Sequence, residues 1–261
     1  MTTLRALVRL AIVAVLAAIV APACSLGQGT GACQGVLDVP NCWAGDFDLH
    51  PDFFAAVPTP GTDALQLRIQ KGGDYVNFSD GVIIQVDDAG EVRGDPAADG
   101  TLRPSLLGQP LVVALEAGVS PPGVPVTPRG LQSIVHASLY LDATCRTQND
   151  ALYAVAAVTT NADGSCSQPD GGDPGLSCNG ATPSDAGAVR TSTIVFNALF
   201  DGNPDEPNTA QLLSDATFHF YLADPREICP GGLGPPPRCR GELSGNFHFY
   251  FQRGRPAQPF P

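Results

Sequence analysis

Along the body of this chain, apolar side chains recur at every second position in short runs, a period that fits a half-buried β-strand and not an amphipathic helix. The clearest run covers residues 64–71, where Leu65, Leu67 and Ile69 point one way and Gln66, Arg68 and Gln70 the other. Gly72-Gly73 then turns the chain. Residues 75–78 and 82–86 read as two further strands, the second ended by the turn residues Asp87-Asp88-Ala89-Gly90. Residues 111–115 form a continuous apolar run, which suits a strand covered on both faces.

The pattern continues to the C-terminus. Val135, Ala137, Leu139 and Leu141 alternate with His136, Ser138 and Tyr140, and residues 151–160 are expected to pair with that strand as a hairpin whose loop carries Cys145. Residues 193–200 read as another strand, 201–208 as a turn-rich loop and 209–213 as one short helix. The last two strands share a word, Phe218-His219-Phe220-Tyr221 and Phe247-His248-Phe249-Tyr250, which puts the phenylalanines on one face and His/Tyr on the other. The surroundings of the two words match at no fixed period, so they are strand patterning and not an internal repeat. With 29 glycines and 25 prolines punctuating the strands, the expectation is an all-β chain, an antiparallel β-sandwich of about eight to ten strands with long Gly/Pro/Asp-rich loops. The sandwich is read as one domain over residues 45–261. Residues 121–128 are a stiff proline-rich connection, and 161–188, almost all Asp, Gly, Ser, Pro and Asn, read as an exposed insertion too polar to order itself.

Residues 1–23 are of a different kind. Arg5 and Arg9 precede an apolar run over residues 10–20, and Ala21-Pro22-Ala23 precedes Cys24. A basic start, an apolar middle and a small-residue end make a secretory signal peptide. As a helix the apolar run would span about 16 Å, too short for a hydrocarbon core of about 30 Å. Ala21-Pro22-Ala23 fits general signal-peptidase cleavage, while Ala23-Cys24 resembles the end of a bacterial lipobox, although Ala21 stands where leucine is usual. That resemblance implies that Cys24 becomes the first mature residue and carries acyl chains, each buried methylene adding about 0.8 kcal/mol of membrane affinity. Ser25 after it implies outer-membrane sorting, by similarity to Gram-negative lipoproteins. Residues 24–44 are read as the attachment cysteine, a flexible leader over 25–31 and the Cys33/Cys42 segment.

All 26 acidic residues lie beyond residue 23 and two of the 14 basic ones before it, so the mature chain sets 12 positive against 26 negative charges, a net of −14. Nucleic acid and anionic lipid headgroups are repelled by such a surface. Eight cysteines in an exported chain read first as disulfides, and no C-x₂-C pair suggests zinc. Cys166 with Cys178, and Cys229 with Cys239, each bracket a Gly/Pro-rich loop and are expected to be local staples worth about 3 kcal/mol each. Acylation of Cys24 would leave seven cysteines and one thiol over among Cys33, Cys42 and Cys145, whose pairing stays open.

Candidate chemistry is sparse. His219 and His248 would meet at a transition metal if their strands are neighbours, against the alternative of cross-strand His/Tyr packing. Asp201, Asn203 and Asp205 place oxygens at alternate positions as a calcium loop does, but Glu206 and Leu212 stand where that loop needs glycine and glutamate, so an Asx-type turn is the better reading. Ser79, Asp80 and His136 are isolated polar residues that would have to meet in space to act on a substrate. There is neither a G-x-S-x-G elbow nor a phosphate loop. Trp43, Phe53 and Phe54 are expected to plug one end of the sandwich. No catalytic residue and no cofactor is assigned, calcium being the one ion kept in view.

The leader, Asn41-Cys42-Trp43-Ala44-Gly45-Asp46-Phe47, Gly245-Asn246-Phe247 and Arg253-Gly254-Arg255-Pro256 together resemble predicted lipoproteins of myxobacterial type, exported, cysteine-containing and Gly/Pro-rich. The resemblance implies no activity. The functional expectation is a non-enzymatic lipoprotein of the outer membrane or cell surface, held by membrane lipid through an acyl anchor and acting in binding or surface structure. A periplasmic or secreted location is the alternative. Alternative functions are a secreted hydrolase of polysaccharide or peptide and a calcium-dependent adhesion module.

Overall fold

The computed structural model describes residues 29–39, 41–72, 79–114, 133–145, 152–156, 158–160, 166, 189–224 and 236–251. Its strands are β1 (Gly29–Val39), β2 (Trp43–Asp48), β3 (Phe53–Pro58), β4 (Leu65–Lys71), β5 (Asp80–Val86), β6 (Pro110–Val112), β7 (Val135–Leu141), β8 (Leu152–Ala154), β9 (Val158–Thr159), β10 (Val189–Arg190), β11 (Thr193–Ala198), β12 (Leu213–Ala223) and β13 (Gly241–Tyr250). The helix α1 (Ala89–Arg93) and a 3-10 turn at Thr209–Leu212 complete the described elements. The chain is therefore all-β and antiparallel, as its alternation predicts.

In place of the two sheets of a sandwich, eleven strands form one sheet ordered β2-β1-β13-β12-β8-β7-β5-β4-β3, with β11 on β12 and β6 on β11. The reason lies in β12. It is eleven residues long, so a single edge takes two partners in succession, β11 along Asp215–His219 and β8 at Leu222 and Ala223. What would have been two sheets stays joined through this strand. The sheet curls until its far edge returns: Phe54 of β3 stacks on Phe249 of β13, with ring centroids 5.6 Å apart. A side chain at Gly29 or Gly31 of β1 would collide with Phe54, so these glycines permit the close approach. The leader expected over residues 25–31 thus runs into the sheet at Gly29, and Cys33 and Cys42 belong to the folded body. Glycine reads as flexibility in a sequence, but here it makes room.

Inside the curl is one apolar core. Leu65, Leu67 and Ile69 of β4 meet Val82, Ile84 and Val86 of β5 and Phe218, Phe220, Phe247 and Phe249 of β12 and β13. Each fully buried side chain of this size contributes about 1.5–3 kcal/mol, so the expected phenylalanine stripe is a main source of stability. Phe54 belongs to this core and half-buried Trp43 packs against it, edge-on to Phe47 at 6.1 Å, while Phe53 is half-buried and outside the core cluster. A smaller apolar cluster of Val155, Val158, Cys166, Ala223 and Cys239 lies at the end of β12.

Several local readings change. Asp88 does not simply end β5: its side chain accepts a hydrogen bond from Glu91 N at 2.7 Å and caps α1, a Asp-x-x-Glu start that an interposed Gly90 disguises. Of the run at 111–115, residue 115 lies outside the described residues, and the rest contributes to the short β6, whose Leu111 and Val112 are half-buried, and to the fully buried Val113. Residues 152–154 do pair with β7, yet β8 also touches β12, so the hairpin is a junction. Residues 75–78 and 121–128, and 161–188 apart from Cys166, lie outside the described residues.

The bridges correct the staple expectation. Cys166 is bonded to Cys239, not to Cys178, and Cys42 to Cys145. Both join segments distant in sequence, 103 residues apart for Cys42–Cys145 and 73 for Cys166–Cys239, because the curl and not the local loop sets which sulfurs meet. Cys178, Cys229 and Cys24 lie outside the described residues. Cys33 is free and buried, with its thiol pushed up to about 12 by burial and then by the nearby Asp48 carboxylate.

Candidate functional site

The outward face of β12 and β13 gathers the polar residues of the two shared words. Because facing residues share a side of the sheet, the register sets them in rows. Asp48, Gln34, Ser244, His219 and Thr193 make one row across β2, β1, β13, β12 and β11. Asp46, Val36, Glu242 and Tyr221 make the next on one side. On the other side come Ala32, Asn246, Thr217 and Val195, then Thr30, His248 and Asp215. Gln34, Thr217, Ser244, Asn246 and His248 are exposed.

A local two-fold relation organises this face. Thr217 opposes Asn246, and about that pair the register carries His219 onto His248, Tyr221 onto Tyr250 and Ser244 onto Asp215. Each histidine packs on the tyrosine two residues along its own strand, His219 on Tyr221 at 4.8 Å and His248 on Tyr250 at 5.7 Å. Each also meets an oxygen across the ladder. Ser244 Oγ lies 3.2 Å from His219 Nδ1, and Asp215 Oδ2 lies 2.6 Å from His248 Nδ1. Burial pushes the Asp215 carboxyl up, but hydrogen bonds from His248 and from Asn197 Nδ2, the latter at 2.6 Å, outweigh it and hold the group below the usual carboxylate value. The Tyr221 hydroxyl is pushed up by burial and then by Glu242.

His219 and His248 do sit on neighbouring strands. Yet Asp215, which faces His248, is four residues from His219, so the backbone rows that carry the two histidines lie about 13 Å apart along the strands, too far for a metal pair. The packing is within each strand, not across the ladder as the His/Tyr alternative had it.

Glu242 Oε1 is 2.9 Å from His219 Nε2, off the line of an N–H···O bond. Ser244, His219 and Glu242 thus have the order of a nucleophile, base and orienting acid. β13 is paired with β1 on one edge and β12 on the other throughout Gly241–Phe249, so the backbone N–H groups around Ser244 are committed to the ladders and none is left to hold an oxyanion.

The remaining expected residues have local duties. Asn203 N bonds Asp201 Oδ1 at 2.8 Å and Asp205 N bonds Asn203 Oδ1 at 2.9 Å, the Asx turns expected of this loop. Asp80 begins β5 and Ser79 precedes it, while His136 faces Gln85 near the other end of that strand, about 16 Å from Asp80 by register, so the three do not meet. His136 instead lies between Ala114 O at 2.6 Å and Asp87 Oδ2 at 2.9 Å. Asp80 binds the turn after β7 through Ala143 N and Thr144 N, both at 3.0 Å. His50 stands 3.0 Å from Asp48.

A second polar cluster has no motif in the sequence. Arg68 and Gln70 lie on the outer face of β4, β5 and β7, opposite Leu65, Leu67 and Ile69 as alternation predicts, yet both are buried there. Tyr140 OH accepts from Arg68 Nη2 at 3.1 Å and donates to Gln70 Oε1 at 2.7 Å. Gly81 faces Tyr140, and a Cβ there would strike the hydroxyl, so the glycine makes the recess. Burial raises the Tyr140 hydroxyl and, with Asp80, the Asp142 carboxyl nearby, while Arg68 opposes both shifts.

The class this defines is an all-β, disulfide-braced domain with a polar, aromatic-edged sheet face. No protein-family model, curated protein or solved structure matches the chain.

Proposed function

We propose that this chain is an exported envelope lipoprotein, anchored through acyl chains on Cys24, that presents the β12–β13 face as a non-catalytic binding surface. The cysteine count carries the reading. Two bridges use four of the eight cysteines and Cys33 is free, so Cys24, Cys178 and Cys229 remain, an odd number. At least one of the three finds no partner within its own chain, and acylation of Cys24 accounts for it. Disulfides themselves favour an oxidising compartment, in keeping with the signal peptide of residues 1–23. The resemblance to predicted myxobacterial lipoproteins points the same way. A binding role suits the outward face because Gln34, Thr217, Ser244, Asn246 and His248 present polar, exposed side chains there.

The test is the intact mass of the protein recovered from the membranes of its own host. The expected product begins at Cys24, carries acyl mass and reveals the Cys33 thiol only on denaturation. A chain that keeps Met1, or a Cys24 thiol that alkylates freely, would overturn the reading.

A further inference from the structure

His136 differs from the other three histidines in what its ring nitrogens meet. Nδ1 lies 2.6 Å from Ala114 O, a backbone carbonyl, and Nε2 lies 2.9 Å from Asp87 Oδ2, a carboxylate oxygen. Both partners are acceptors, whereas a neutral imidazole carries a single N–H. The second bond therefore needs a second proton at the His136–Asp87 contact. His219 has no such need, because the Ser244 hydroxyl beside its Nδ1 can donate. His50 and His248 each meet one carboxylate through one nitrogen. The His136 side chain is also the least exposed of the four, at 18% against 75%, 39% and 48% for His50, His219 and His248, so water is poorly placed to replace a missing donor. We infer that His136 is a proton-dependent latch between β6 and β7, closed in acid and released as the ring gives up its second proton.

Both oxygens are held in place by other bonds. Gln85 Nε2 donates to Asp87 Oδ1 at 2.9 Å and Asp87 N to Ile134 O at 2.9 Å, which leaves Oδ2 turned to the ring. Ala114 N donates to Val135 O at 3.1 Å, so Ala114 is tied to β7 from both its ends. The register sets Gln85 of β5 beside His136 and Gln66 of β4 beyond it, both uncharged. Of the charged groups further along, Asp88 is engaged by Arg103 at 2.6 Å and Arg68 by Tyr140 at 3.1 Å. Asp87 is thus the titratable group that the ring touches among the described residues. A ring with one proton must set a bare nitrogen against an oxygen, which loses a bond and repels the partner. The folded chain holds a proton here that the unfolded chain releases more readily, so the latch contributes fully in acid and is lost towards alkali.

The experiment compares the parent with Asp87→Asn by urea unfolding at about pH 5.5 and about pH 8.5, either side of the range in which histidines titrate. The substitution keeps an oxygen for Gln85 and offers an amide N–H to Nε2, so a ring with one proton completes both bonds. The folding constant of the parent relative to the variant should therefore be larger in acid than in alkali by about tenfold or more, the worth of one hydrogen bond to a charged group. Hydrogen exchange, corrected for its intrinsic dependence on pH, should place the alkaline loss of protection at Val113 and Ala114 in the parent and remove it in Asp87→Asn. If Asp87→Asn loses its fold, His136→Gln, whose amide takes up no proton, carries the same comparison. An equal ratio at both pH values would overturn the inference. So would a loss of protection shared evenly with β12 and β13, which would assign the effect to the net charge of the whole chain.

Discussion

Cys33 shows how much a single side chain depends on its surroundings. In a list of cysteines it is one of eight possible half-bridges, yet it is fully buried opposite Gly245. Its thiol stays neutral up to about pH 12, and the neutral thiol is a poor nucleophile. Iodoacetamide at neutral pH is therefore expected to leave Cys33 untouched in the native protein and to alkylate it once urea has unfolded the chain, as peptide mass would show. The same shift has a sign. Below the ordinary value of 9.0 the thiol is neutral in both states, and above it the unfolded chain ionises first. Stability should then fall from pH 9 towards 12 relative to Cys33→Ala, read from urea midpoints.

At the scale of elements, what matters is how strands are tied where the ladder alone is thin. β6 is only three residues long, and one isolated parallel bridge, Val113 to Val135, continues it towards β7. His136 reinforces that joint by reaching Ala114 O and Asp87 with its two ring nitrogens. His136→Ala should cost about 1–3 kcal/mol, two partly buried hydrogen bonds being lost. Hydrogen exchange should locate the effect, with faster exchange at the amides of Val113 and Ala114 and little change in β12 and β13. The shared Phe-His-Phe-Tyr words are the element that reads most directly from sequence, since a period of two dictates both faces. Which residues they would meet did not read so. Ser244, Asp215, Glu242 and Gln34 join the histidines only through a register that the turns and the curl impose.

For the whole molecule, closure of the curl is the central fact. The Cys42–Cys145 bridge ties the turn before β2 to the end of β7, strands well separated in the sheet order. Constraining so long a loop in the unfolded chain is worth up to about 4.7 kcal/mol by the chain-entropy estimate. Cys42→Ala/Cys145→Ala should lower the free energy of unfolding by about 2–5 kcal/mol, measured by urea titration without reductant. An equal urea midpoint for this variant and the parent would show that packing of β3 against β1 and β13 closes the curl unaided.

The positions of β4, β5, β7, β11, β12 and β13, the buried phenylalanine stripe, the Asx turns and the all-β class follow from the amino-acid sequence, because each depends on side-chain period and backbone preference within a few neighbouring residues, whereas β1, β2 and β3 lie in segments read as a leader and an aromatic plug. Tertiary structure alone decided that one long strand would weld two sheets into one. It also decided that Gly29 and Gly31 would pack instead of flex, that Arg68 and Gln70 would be buried around Tyr140, and that Cys166 would find Cys239. Each of these is a contact between residues far apart in the chain, and no local pattern encodes which distant surface a side chain will meet.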